Sequence, residues 1–100
     1  MKLYTINATP VRCDVSETEN NTRVGYYSSF VAKTLSTHGI DGFTISKQNG
    51  YWQGEPEVSF KIEVATDKKQ TIVEIATSLR DSYNQDSVMV TMPDNTVEFI

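Results

Sequence analysis

The sequence predicts an α+β fold of the split β-α-β type, an antiparallel sheet with two helices on one of its faces. Three observations predict it. Stretches of strand period at residues 2–9, 42–47, 57–64 and 87–92 are interrupted by two stretches of helical period. The helical stretches follow the first and the third strands, which gives the order β-α-β-β-α-β. The two middle strands follow each other with only a short, glycine-bounded segment between them, as strands of one antiparallel pair do.

Residues 2–9 alternate loosely around Tyr4 and Ile6, and Pro10 ends that strand. Ser16-Glu17-Thr18-Glu19 has capping-box form, so the first helix begins there or within the next turn, near Asn20 or Asn21. Val24, Tyr27, Val31 and Leu35 then fall on one helical face with Phe30 beside it, and Gly39 is placed to end the helix in a left-handed conformation. Gly42 to Lys47 sets Phe43 and Ile45 on one side of a short strand. In the next strand Val58, Phe60, Ile62 and Val64 face one way, while Glu57, Ser59, Lys61 and Glu63 face the other. Asp67 and Gln70 have N-cap spacing ahead of Ile72, Ile75, Ala76, Leu79 and Tyr83, the apolar stripe of a second helix. Asn84-Gln85-Asp86 breaks that helix. Ser87 to Met92 forms a strand, Pro93-Asp94-Asn95 a turn, and Thr96 to Ile100 a short terminal strand. This is the order of ferredoxin-like sandwiches. It leaves one sheet face without helices, either to carry polar residues or to pack against a neighbouring subunit.

The 100 residues make one domain, residues 1–100, with no room for a separate cofactor domain. A chain this small leaves much of its surface unburied, so oligomerisation is a natural source of stability. A hydrophobic fraction of 38% and a charged fraction of 22% exclude a disordered chain, and no stretch reaches the length of a membrane span. A net charge of −4 with nine Lys and Arg speaks against tracking nucleic-acid phosphates or an anionic membrane. It suits a neutral or cationic small ligand. Met1 to Ile6 has no extended apolar run, so no signal peptide is expected, and the lone Cys13 fits a reducing cytoplasm.

The segment Gly50-Tyr51-Trp52-Gln53-Gly54-Glu55-Pro56-Glu57 reads as a loop that is unusually aromatic and acidic for a connector. Glu57 is either a solvated carboxylate or a ligand-contacting acid at a cleft between subunits, and Glu55 shares the ambiguity. Tyr51 and Trp52 either anchor the loop or offer an aromatic face to a purine or a cation. Arg12 carries a fork of donors suited to a carboxylate, against the alternative of a surface arginine. His38, at the C-terminal end of the first helix, complements the helix dipole there. One His and one Cys, far apart, make neither a metal site nor a nucleophile–base pair, and no glycine-rich phosphate loop is present. An enzyme built on these residues works without metal, covalent nucleophile or bound cofactor.

Read end to end, the chain resembles the small S-adenosylmethionine lyases of tailed bacteriophages, formerly called hydrolases. The likeness is carried by Leu3-Tyr4-Thr5-Ile6-Asn7-Ala8 with Val11-Arg12, and by Thr34-Leu35-Ser36 with Gly39 beyond. It continues through Gly50-Tyr51-Trp52 running into the strand from Glu57 to Val64, then Asp67, then Gln85-Asp86-Ser87-Val88-Met89-Val90. The resemblance implies a PII-like fold and a homotrimer that binds S-adenosylmethionine between subunits. It also implies a reaction that splits the substrate into methylthioadenosine and homoserine lactone, depriving host restriction methylation of its methyl donor in the host cytoplasm. The family's important acid falls on Glu57, and its important Tyr on Tyr51 or Trp52 across a shortened loop. Glu57 and Tyr51 are therefore the expected catalytic residues, with Trp52, Glu55 and Ser59 binding substrate. No metal, cofactor, nucleic acid or membrane is implied. Two other readings stay open: a non-enzymatic PII-like module that binds a small molecule, and a phage protein that blocks a host defence by binding a protein partner.

Overall fold

The computed structural model describes residues 1–100, the side chain of Trp52 excepted. The elements run β1 (Lys2–Ala8), α1 (Glu17–Thr37), β2 (Phe43–Trp52), β3 (Glu55–Thr66), α2 (Lys69–Ser82), β4 (Met89–Thr91) and β5 (Val97–Phe99). The strands form one sheet in the order β2-β3-β1-β4-β5, and every neighbouring pair is antiparallel. This is the predicted split β-α-β sandwich with its added terminal strand.

The register explains the two faces. Ile6 lies opposite Ile62 and Val90, Tyr4 opposite Val64, and Ala8 opposite Phe60, so one face is continuously apolar. Against it α1 buries Tyr27, Val31 and Leu35, and α2 buries Ile72, Ile75, Ala76 and Leu79. Each of the Val, Leu and Ile side chains among them contributes about 1.5–3 kcal/mol by leaving water. At one end of the core the rings of Tyr27, Phe30, Phe60 and Tyr83 pack together, with Tyr27 meeting Tyr83 edge-on at 4.8 Å between centroids. That aromatic end lies under the connections described below.

The helix ends follow the expected chemistry in part. Ser16 caps α1, its hydroxyl accepting from the Glu19 amide at 3.1 Å, and Gly39 turns the chain with φ of +78°. At α2 the capping position is Lys68 rather than Asp67, and no side chain caps the helix. Thr66 Oγ1 instead accepts from the Lys68 amide at 3.2 Å, while Asp67 faces the N-terminal ammonium at 3.7 Å.

The principal departure from expectation lies in the middle hairpin. The segment read as a loop after a short strand is regular sheet. β2 continues to Trp52, β3 begins at Glu55, and Gly50 pairs with Glu57 and Tyr51 with Pro56. Only Gln53 and Gly54 form the turn, with φ of +52° and +80°, a two-residue hairpin turn whose positive φ values suit the right-handed twist of the strands. The C-terminal strands are shorter than expected, although Val88 and Ile100 exchange two backbone hydrogen bonds just outside them.

Candidate functional site

The long hairpin carries its tip beyond the helices, toward the connection from β1 to α1 and the connection from α2 to β4. These two connections are sewn together. Arg23 donates to the carbonyls of Pro10 at 2.6 Å and Tyr83 at 2.7 Å, and its guanidinium lies 4.9 Å from the centre of the Tyr83 ring. Gln85 donates to the Val11 carbonyl at 3.2 Å, and Arg12 to the Asn84 carbonyl at 3.0 Å. Asn20 closes the weave, accepting from the Arg12 amide and donating to the Arg12 carbonyl. Thr9 Oγ1 donates to the Val58 carbonyl at 2.7 Å, which fixes the start of this wall to β3.

Between that wall and the hairpin lies a cleft of about 850 Å³. The hairpin side is made by Gln53, Glu55, Pro56 and Glu57, and the opposite side by residues 11–15, Glu17, Asn20 and residues 84–86. Its charges are unequal: Asp14, Glu17, Glu55, Glu57 and Asp86 stand against Arg12. Arg12 is itself engaged. Its Nε meets Asp14 Oδ1 at 2.6 Å and its Nη2 faces Asp14 Oδ2, and these bonds hold the Asp14 carboxyl below the usual carboxylate range. The same bonds raise the Arg12 guanidinium further above its already high value. The cleft therefore presents a negative field with no unpaired cation among its described lining residues.

Glu57 also borders a second, smaller hollow of about 160 Å³ formed with Gly50, Tyr51 and Ser59. Three of the expected residues, Glu57, Tyr51 and Ser59, thus border one hollow, with Tyr51 opposite Pro56 in the register and so on the other sheet face from Glu57 and Ser59. Glu55 lies on the cleft side with Glu57, two residues away along β3. Tyr51 is 76% exposed, Glu57 and Ser59 are half-buried, and the Trp52 side chain lies outside the described residues. A Cβ at Gly50 would stand 3.8 Å from Ser59 Oγ and 3.6 Å from the Glu57 carbonyl, so the hollow is open there because position 50 has no side chain.

Sequence reasoning missed the far wall. Asp14, Asn20, Asn84, Gln85 and Asp86 carry no shared period and no motif. The available signal is the run Asn84-Gln85-Asp86, which the sequence offers as a helix breaker and, at Gln85-Asp86, as part of the family likeness, with nothing in it that assigns a place in a cleft. Arg12 was weighed as a carboxylate ligand, and here its fork is held by Asp14. Among the described residues no group of three metal-ligating side chains converges, and no helix is long and apolar enough to cross a membrane.

No protein-family model matches the chain, and no curated protein matches it. Solved structures do. A phage SAM lyase in complex with S-methyl-5′-thioadenosine is 14% identical, with 98% of this chain and 87% of that one covered at a TM-score of 0.63. A phage SAM lyase in the apo state is 17% identical, with 98% and 86% covered at 0.62. CPII, a nitrogen regulatory PII-like protein from Thiomonas intermedia K12 bound to ADP, AMP and bicarbonate, is 16% identical, with 99% and 88% covered at 0.57. At these identities the likeness is one of fold: the chain has the PII-like arrangement of two helices over one face of an antiparallel sheet, which the phage SAM lyase structures share.

Proposed function

We propose that the chain is an S-adenosylmethionine lyase that forms methylthioadenosine and homoserine lactone. One observation carries the reading. Half-buried Glu57 sits where the hollow beside Tyr51 meets a cleft whose five carboxylates face a single guanidinium already bound to Asp14. That field attracts a ligand with two cationic centres and repels phosphates. S-adenosylmethionine carries a sulfonium and an ammonium, whereas adenosine phosphates of the kind bound by CPII are anionic.

In the proposed reaction an oxygen of the substrate's carboxylate attacks its own γ-carbon. The carbon–sulfur bond breaks, its electron pair stays on sulfur, and the neutral thioether leaves as methylthioadenosine. The ring that closes is homoserine lactone, still carrying its ammonium. Carboxylate and sulfonium charges cancel as the transition state forms, so folding the chain into attack geometry and excluding water lower the barrier. No proton transfer, metal or covalent enzyme intermediate enters. Glu57 holds the ammonium, Tyr51 offers an aromatic face to the adenine or the sulfonium, and Ser59, Glu55 and Trp52 complete the contacts.

The assembly belongs to the same proposal. The sheet face without helices carries Leu3, Val97 and Phe99 at 53%, 48% and 70% exposure, and Met89 lies opposite both Asn7 and Phe99. A homotrimer covers that face and sets the hairpin of one copy beside its neighbour, completing a site that is open in a single chain. It works in the cytoplasm, where it removes the methyl donor of host restriction methylation.

The experiment is to incubate the purified protein with S-adenosylmethionine and follow methylthioadenosine by chromatography. Product accumulates in the wild type, and Glu57→Gln lowers the rate by about a hundredfold or more, the scale of a lost positioning contact. A well-folded oligomer that makes no product above background sinks the proposal. Tight binding of an adenosine phosphate without turnover would point instead to a regulatory module.

A further inference from the structure

The lyase reading requires the substrate's carboxylate to be free to attack, yet the cleft contains a guanidinium that would capture it. We infer that Asp14 is a specificity-determining residue that occupies the fork of Arg12 and so keeps a bound carboxylate available as nucleophile. The inference rests on the lyase reading for the identity of its substrate. Its geometry is independent of it. Arg12 Nε and Nη2 face the two Asp14 oxygens, and Nη1 donates to the Asn84 carbonyl at 3.0 Å, so all three guanidinium nitrogens have partners.

The pair contributes little to stability, because both side chains are accessible to solvent, 26% for Arg12 and 57% for Asp14, and exposed pairs are screened. What it does is occupy donors. Asp14 stands two residues from Arg12 in the same connection, so it competes with a diffusing carboxylate at high effective concentration. An ion pair between Arg12 and the attacking carboxylate would weaken as that charge is consumed in the transition state. It would therefore favour the bound substrate over the transition state, tightening binding while slowing reaction.

The test is Asp14→Asn, with Asp14→Ser as a second variant, neither of which touches the core. In both, KM and kcat for S-adenosylmethionine fall together, each by about tenfold, the size of one charge-assisted contact. The binding readout needs no turnover. The affinity for S-adenosylhomocysteine, which carries the carboxylate, is compared by calorimetry with that for methylthioadenosine, which lacks it. Their ratio rises about tenfold in Asp14→Asn and returns to the wild-type value when Arg12→Gln is added. An unchanged ratio, an equal rise in the double variant, or no binding of either compound by any variant overturns the inference. If the ratio shifts as stated while no protein produces methylthioadenosine, the lyase reading fails, and what stands is that Asp14 occupies the Arg12 fork against a ligand carboxylate.

Discussion

Tyr27 is the one buried polar side chain among the described residues whose hydroxyl has no hydrogen-bond partner. Its ring fills the space between Phe60 and Tyr83, and burial pushes its ionisation upward, so the group is a neutral space-filler. Leaving such a hydroxyl unsatisfied costs about 1–3 kcal/mol, so Tyr27→Phe is expected to raise the unfolding free energy by about 1 kcal/mol in urea titration. A loss of stability of that size would show that the hydroxyl has a role. At this scale much of the core and part of the site were readable in the sequence. Alternation in β3 assigned Phe60, Ile62 and Val64 to the core and Glu57 and Ser59 to the other face, and the structure agrees. The partners of Arg12 were not readable. Asn84 is 72 residues away, and a bond between two irregular connections leaves no period for local reasoning to find.

The β2–β3 hairpin shows where pattern fails for a physical reason. Lys47, Gln48, Asn49 and Gly50 have no apolar alternation because β2 is the edge strand and is exposed there, while Phe60 and Val58 opposite them on β3 supply the core contacts. In the sequence, absence of alternation reads as absence of strand. The turn itself was written in the chain, since Gln53 and Gly54 both adopt left-handed φ, but Gln-Gly is a weaker signal than Asn-Gly. Gly54→Ala meets no neighbouring atom within 4 Å, so its cost is that of the backbone alone, about 1–2 kcal/mol. Thermal unfolding should register that loss, and S-adenosylmethionine turnover should fall as the pairing of Gly50 with Glu57 loosens. A variant with unaltered melting and unaltered turnover would mean that the hairpin tip does not hold the site.

Across the whole molecule, the element order was enough to leave one sheet face without helices, and the structure shows how that face divides. Toward β2 and β3 it is polar, with Thr44, Ser46, Lys61 and Glu63, and toward β4 and β5 it carries Met89, Val97 and Phe99. An apolar patch rimmed by polar groups is a contact surface. On the proposed homotrimer with its shared site, Phe99→Glu, at a position already 70% exposed, is expected to leave the chain folded, to give a monomer by light scattering and to abolish turnover. A wild-type monomer with full activity would remove the trimer from the account. In the proposed reaction the substrate's own carboxylate, and not water, displaces the thioether in the cleft at Glu57. The direct measurement is the reaction run in isotopically labelled water, with the γ-oxygen of the product analysed by mass spectrometry. Intramolecular attack leaves that oxygen unlabelled, even after the lactone has opened; solvent label at the γ-position, or no cleavage at all, contradicts the mechanism.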